Sequence, residues 1–211
     1  MKYVLWIAIA VGAYFLGNFS TGLIVGKSFG DIDIRKTGSG NAGATNIMRT
    51  LGWLPSVLTL AGDALKAFIA VKLGKWIGGD VGGYIAGIAV LLGHNWPVLL
   101  NFKGGKGMAC SLGIILATEP WLALALLALQ ILIVAVTRYM SVASICTAIL
   151  YAAAVAVFHP DNTGYIIFAA LVCALALFCH RANIKRLLSG TENRLDFSKI
   201  NRLKAKLGKK N

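Results

Sequence analysis

Acidic side chains, paired cysteines and internal repeats are what this chain has least of. Eight Asp or Glu stand against 21 Lys or Arg in 211 residues, a formal net charge of +13. In a soluble protein that excess would suggest nucleic acid. No interleaving of aromatic and basic residues occurs outside the apolar runs, so no nucleic acid partner is expected. Cys110, Cys146, Cys173 and Cys179 sit singly in apolar runs, without CxxC and without a histidine at ligand spacing. That excludes a disulfide framework or a zinc site and leaves buried thiols. No Cys–His or Ser–His–Asp arrangement is recognisable from local pattern. An enzyme built from these residues needs a substrate that arrives well activated, or one that supplies part of its own acid–base chemistry. No cluster calls for a metal or cofactor.

What is abundant is apolar sequence: 57% of the residues are hydrophobic and the mean hydropathy is +0.73. That composition indicates an all-α integral membrane protein, and the length suits one domain over 1–211, taken as monomeric. Apolar runs occur at 3–25, 54–73, 81–100, 108–118, 121–136, 141–158 and 164–180. Seven crossings are expected, with six as the alternative. The first run follows Lys2 as a signal peptide would, but it is long and lacks a clean cleavage site, so a retained helix is expected. The runs at 108–118 and 121–136 are short for a core that asks for about 20 residues, so tilting or a re-entrant path is open.

The loops at 27–53, 101–107 and 138–140 hold seven Lys or Arg, against Lys2, Lys72 and Lys75 on the other side. Cationic loops favour the cytoplasm, which puts the N-terminus outside, the C-terminus inside and these loops on one face of the membrane. From Arg194 onward, seven further cations alternate with Phe197, Ile200, Leu203 and Leu207. A basic amphipathic tail over about 190–211, lying on the anionic leaflet, follows from that spacing.

Two polar islands stand out. Residues 37–49 combine Gly38, Ser39, Gly40, Asn41, Gly43, Thr45, Asn46 and Arg49, with Asn41 or Thr45 placed to cap a short helix reaching Leu51. The GxGxxG within it lacks the strand that a dinucleotide fold needs, since residues 11–26 form an apolar span. Gly26-Lys27-Ser28 has Thr21 where a Walker loop needs Gly. What survives is that glycine backbones and cations suit phosphate. The second island is Gly104-Gly105-Lys106-Gly107, with His94 upstream; its plain alternative is a basic cytoplasmic loop. Asp63 and Lys66, three apart inside a span, can pair for structural or functional reasons. His180 and Asn183 share a helical face at the end of the last span.

Asp33-Ile-Arg35, Gly38 to Arg49, Asp63-Ala-Leu-Lys66, Gly93-His94 through Phe102-Lys-Gly104-Gly-Lys106-Gly and His180-Arg-Ala-Asn183 through Glu192 together resemble the bacterial acyl-phosphate:glycerol-3-phosphate acyltransferase family (PlsY). The motifs run in order over nearly the whole chain. Ala67 departs from the family's usual Gly. The absence of Asp five residues after any His (those positions are Leu99, Gly164 and Lys185) separates the chain from HxxxxD acyltransferases.

The resemblance implies a seven-helix enzyme that moves an acyl group from acyl phosphate to glycerol 3-phosphate, with Ser39, Arg49, Lys106, His180 and Asn183 in the active site. Phosphate binding is expected from Gly38, Gly40, Asn41, Thr45, Asn46, His94, Gly104, Gly105 and Gly107. Support is expected from Arg35, Asp63, Lys66 and Glu192. The proton goes to a substrate phosphate or to His180. A transporter or lipid-phosphate binder is the competing class, but inverted repeats, its usual mark, are not found.

Overall fold

The computed structural model describes residues 2–196 and 198, so the amphipathic-tail expectation lies largely outside the described residues. Among them every regular element is helical. The helices are α1 (Lys2–Asn18), α2 (Thr21–Gly30), α3 (Ala44–Leu51), α4 (Trp53–Asn95), α5 (Met108–Thr118), α6 (Pro120–Thr137), α7 (Met140–Phe158), α8 (Thr163–Cys179) and α9 (Arg181–Leu188). Short 3-10 turns lie at Ile34–Lys36 and Val98–Leu100.

Three differences from the sequence reading have physical causes. The first apolar run is broken: Ser20 adopts extended backbone and its Oγ accepts from Leu23 N, capping α2. The runs at 54–73 and 81–100 form one hairpin in α4, because Gly78 and Gly79 are non-helical. Gly79 has φ +67° and ψ −163°, a conformation essentially reserved for glycine. The two arms then fold back, so that Gly74 lies against Gly82 and Ala86, and Lys75 pairs with Asp80 at 2.7 Å across the turn. Finally, α3 starts at Gly43 with no side-chain cap. Asn41 Oδ1 accepts from Gly43 N at 2.9 Å one turn earlier, and Thr45 lies inside the helix.

The segments Lys2–Gly30, Trp53–Leu100, Pro120–Thr137 and Met140–Phe158 are long and apolar enough to cross a membrane. The pair α8–α9, bent by 58°, makes a fifth candidate, while α5 is an apolar helix of only 11 residues. Their outward faces are apolar: Trp121 is 83% exposed and Val136 76%. Lipid, not water, is the solvent such faces suit, and the chain is an all-helical, multi-pass integral membrane protein.

The reversals of the chain gather at two ends. At one, Trp6 and Ile9 touch Gly78, His159 Nε2 meets Glu119 Oε1 at 2.9 Å, and Tyr165 Oη donates to Thr118 Oγ1 at 3.2 Å. At the other, Tyr14 Oη donates to Trp96 O at 2.8 Å, Leu99 N to Asn18 Oδ1 at 3.1 Å, and Leu195 N to Arg138 O at 2.8 Å. Both glycine-rich loops lie at this second end.

Close helix approach holds the core. A Cβ on Gly93 would sit 2.0 Å from Tyr14 O, and one on Gly17 would sit 2.4 Å from Val90 O. Small residues are how membrane helices gain dispersion contact when lipid offers no hydrophobic drive between them. Gly93→Ala should therefore force α1 from α4 and cost about 1–3 kcal/mol, seen as a lowered Tm of detergent-purified protein; an unchanged Tm would refute this packing role.

Candidate active site

Where the second end opens, a cavity of about 410 Å³ is lined by residues from both loops, both ends of α4, α5, α6, α7 and α9. The first loop contributes Ser39, Asn41, Thr45, Asn46 and Arg49; the second contributes Lys106 and Gly107. From the helices come Asp63, His94, His180 and Asn183, and from the segment after α9 comes Glu192. Residues 144 apart in the chain thus share one wall: Arg49 Nη2 donates to Asn193 O at 3.2 Å.

The first loop is organised by Asn46, 1% exposed. Its Nδ2 donates to the carbonyls of Ile34, Thr37 and Asn41, each at 3.0 Å, and its Oδ1 accepts from Ser39 N at 2.9 Å. Gly38 is needed for this clasp, since a Cβ there would lie 2.2 Å from Asn46 Oδ1. Arg35 pairs with Asp33 at 2.9 Å and reaches Leu100 O, joining the two loops. Gly38, Gly40 and Arg35 are outside the cavity wall, and the N–H of Gly40 is spent on Thr37 O at 3.0 Å.

The second loop sits on His94. Gly105 N donates to His94 O at 3.0 Å, and a Cβ on Gly104 would lie 2.0 Å from that carbonyl. A Cβ on Gly105 would meet His94 Nε2 at 2.1 Å. These two glycines allow the loop to press onto a helix end and do not line the cavity. Beneath them, Lys66 Nζ lies 2.8 Å from Asp63 Oδ1 and 3.0 Å from His94 Nδ1. Lys66 itself stays behind the wall. Asp63, His94 and Cys110 are close enough to hold a metal ion, but the lysine ammonium already takes a cation's place against two of the three.

The reactive-looking groups meet at the cavity's polar end. Lys106 Nζ donates to Asn183 Oδ1. Asn183 Nδ2 donates to Glu192 Oε1 at 2.7 Å, and Glu192 also accepts from Ser141 Oγ at 3.1 Å and Arg186 Nε at 2.8 Å. With its side chain 5% exposed, Glu192 is a buried carboxylate that orients α9 against α7 and the lysine. His180 Nδ1 lies 2.8 Å from Ala176 O, and a carbonyl can only accept, so Nδ1 carries the proton and Nε2 is left as an acceptor. Arg49 Nε is buried without a hydrogen-bond partner among the described residues. Burial pushes the Arg49 guanidinium below its ordinary pKa. Burial, reinforced by repulsion from Arg186 and Arg49, does the same to the Lys106 ammonium.

Sequence reasoning missed Arg186, Ser141, Ser144, Gln130 and Asn193 as wall residues. Gln130 had a visible signal, being the lone hydrophilic side chain between Trp121 and Val136. All four cysteines are free, with Cys110 buried and the other three partly so. The remainder of the wall is apolar, and Val57, Leu60, Leu127, Ile131 and Val134 form a groove leading away from the cations.

Fold and cavity define a class: a multi-pass membrane protein that joins a cationic, glycine-framed pocket to an apolar groove. The model of the family described as glycerol-3-phosphate acyltransferase matches residues 7–190. A glycerol-3-phosphate acyltransferase of Thermoanaerobacter sp. (strain X514) is 45% identical over 186 residues, 88% of this chain and 93% of that protein. One from Clostridioides difficile (strain 630) is 44% identical over 205 residues, 92% and 98% of the respective chains. The crystal structure of PlsY (YgiH), an integral membrane glycerol 3-phosphate acyltransferase in its glycerol 3-phosphate form, superposes with a TM-score of 0.86. It is 36% identical, and the match covers 92% of this chain and 98% of that one. The chain belongs to the glycerol-3-phosphate acyltransferase family.

Two outcomes test the site's electrostatics. The lowered pKa of Lys106 means its charge is lost, as pH rises, below the ordinary lysine value of about 10.4. The kcat/KM profile should fall on that alkaline side, and Lys106→Arg should carry the limb upward; an identical limb in both proteins would exclude Lys106 as its source. Glu192→Ala should free Asn183 and lower kcat/KM by about 10²-fold while the protein still inserts in membranes. Full activity in Glu192→Ala would show that the carboxylate does not position the lysine.

Proposed function

We propose that the protein transfers a fatty acyl group from acyl phosphate to the 1-hydroxyl of glycerol 3-phosphate, yielding 1-acyl-glycerol 3-phosphate (lysophosphatidate) and inorganic phosphate. The observation that carries this reading is the cavity's two-part chemistry. Arg49, Lys106 and Arg186 surround its polar end, with Glu192 as counter-charge, and an apolar groove continues from it. Two phosphates and one acyl chain match that pattern. Organophosphate transport, the competing class, would use the cations but leaves the groove without a role.

Arg49 and Lys106 clamp the donor and acceptor phosphates through charge-assisted hydrogen bonds. The uncapped start of α3 adds the first-turn N–H groups of Ala44 and Thr45. Ser39, Asn183 and His180 hold the acceptor, with its 1-hydroxyl aimed at the acyl carbonyl and its proton towards a substrate phosphate. The hydroxyl oxygen attacks the acyl carbon, the bond from that carbon to the phosphate oxygen breaks, and the hydroxyl proton ends on a phosphate oxygen. An imidazolium intermediate is disfavoured, because the partner of His180 Nδ1 is a neutral carbonyl, not the carboxylate that stabilises a catalytic imidazolium. A mixed anhydride already has a good leaving group, so orientation and charge stabilisation supply most of the rate.

We also infer seven traverses, with the N-terminus outside and the site facing the cytoplasm. The support is the sorting of chain reversals to two ends and the clustering of short-loop cations at the site's end. One domain is inferred from the cavity, whose wall draws on residues 39 to 195.

The assay is purified protein with palmitoyl phosphate and glycerol 3-phosphate, following lysophosphatidate and phosphate release. Product with acyl-CoA and none with acyl phosphate would reject the donor. Arg49→Ala and Lys106→Ala should each lower kcat by about 10²–10³-fold, and substantial activity in both would sink the clamp. His180→Gln should retain much of kcat and raise KM for glycerol 3-phosphate; near-total loss of kcat at saturating acceptor would instead make His180 the base.

A further inference from the structure

A second cavity, about 60 Å³, lies behind the first. The two share Leu60, Met108, Leu127 and Gln130 as a common wall. Beyond these four side chains an acyl chain leaving the cationic end has two courses to take. One runs outward past Ile131, 62% exposed, to the lipid-facing surface of α6. The other runs inward, among α5, α6, α7 and α8.

The inward branch is built from small side chains at helix contacts. Ala123 of α6, Ala148 of α7 and Ala176 of α8 are all buried and leave the space that larger residues would fill. On its near side the Thr147 hydroxyl donates to Ala143 O of its own helix at 2.9 Å and stands 3.4 Å from Gln130 Oε1. Ala123 lies seven residues from Gln130, about 10 Å along the helix. Tyr151, 1% exposed, and Ile115, 7% exposed, stand at its buried end. In a protein interior packed to crystal-like density, an apolar void that three alanines leave open, one layer of side chains from the first cavity, is space a guest can fill.

We propose that this inner cavity takes the terminal methylenes of the substrate's acyl chain, and that Ala148, Ile115 and Tyr151 set the longest chain the enzyme uses well. The proposal rests on the acyl-transfer reading above, and on the chain entering the bundle and not leaving sideways into lipid. A chain end that reaches a wall is measured; one that dissolves in the bilayer is not. Each methylene gained or lost in such a pocket is worth about 10-fold or more in kcat/KM.

The test compares octanoyl, palmitoyl and stearoyl phosphate as donors. Ala148→Leu fills the inner cavity and should lower the palmitoyl-to-octanoyl ratio of kcat/KM by about 10-fold or more, with octanoyl transfer close to wild type. Ile115→Ala deepens the cavity and should raise the stearoyl-to-palmitoyl ratio. Unchanged ratios in both variants overturn the proposal. A second measurement needs no substitution and no assumption about the donor. A lysophosphatidate analogue with a diazirine at its terminal carbon, irradiated on the wild-type protein, should label α5 or α7 near Ile115 and Tyr151. Labelling of α6 at Ile131 or Val134, or of lipid alone, overturns it. Wild-type protein that makes no lysophosphatidate from any acyl phosphate refutes the donor assignment separately, because the labelling result stands by itself.

Discussion

One buried ammonium sets the frame for everything above it. Lys66 is 5% exposed in an apolar bundle, where an unpaired charge would not survive. Its Nζ faces Asp63, lies against His94 Nδ1, and donates to Gly17 O and Phe19 O at 3.2 and 2.5 Å. Those carbonyls are left over where α1 breaks before α2, so the lysine satisfies a helix end that has no intrahelical partners. The same ammonium thereby joins the first helix to both arms of the α4 hairpin. His94, held from below, offers its carbonyl to Gly105. A buried pair of this kind adds little net stability, yet losing one member costs about 3–5 kcal/mol, because the other charge is stranded. Its worth is geometric, since it gives the second glycine-rich loop a rigid seat.

That seat explains which parts of the site were legible in the chain and which were not. Arg49, Lys106, His180 and Asn183, all on the cavity wall, are singled out by the family resemblance, since a cation in a loop between apolar runs can equally be there for the orientation of the chain in the membrane. The glycines could be seen but not sorted. Gly107 lines the cavity, whereas Gly104 and Gly105 are pressed on His94 and Gly38 clears space for Asn46. A glycine beside a ligand and a glycine beside a helix read identically, since both only mark close approach. Asn46 likewise has the residue type of a phosphate ligand but spends its amide on three carbonyls. Periodicity located the apolar runs, yet it carries no information about direction, so the hairpin at Gly78–Gly79 and the break at Ser20 depend on local backbone conformation that hydropathy does not encode.

The segment after α9 was the least visible element. Gly190 takes φ +69°, and the chain then crosses the site as Glu192 ties Ser141, Asn183 and Arg186 together. Leu195, 2% exposed, is buried at the α6–α7 turn, and the Arg194 guanidinium lies over the Tyr139 ring, 5.0 Å from its centroid. No local pattern marks such a strap, since Ser141, 51 residues from Glu192, and Tyr139, 55 residues from Arg194, hold it from a distant part of the chain. It closes a wall that the helices leave open, and it brings the cavity's one buried acid that is not already paired beneath the wall.

The charge balance that results bears directly on the chemistry. Asp63 is matched by Lys66, so at the polar end Glu192 alone faces Arg49, Lys106 and Arg186. Two cations therefore remain in excess, each partly desolvated. Desolvation makes them costly when the cavity holds no anion and strengthens their attraction for phosphate when it does, because the effective dielectric is low on both occasions. The same excess makes a protonated His180 unfavourable, which within the proposed reaction favours a phosphate oxygen as the proton acceptor. The proposed two-phosphate reaction asks for ample positive charge, and the proposed use of a substrate phosphate as proton acceptor asks for no carboxylate on His180. The surplus of cations and the want of a base are thus two sides of one arrangement, suited to a substrate that brings its own leaving group and its own proton acceptor.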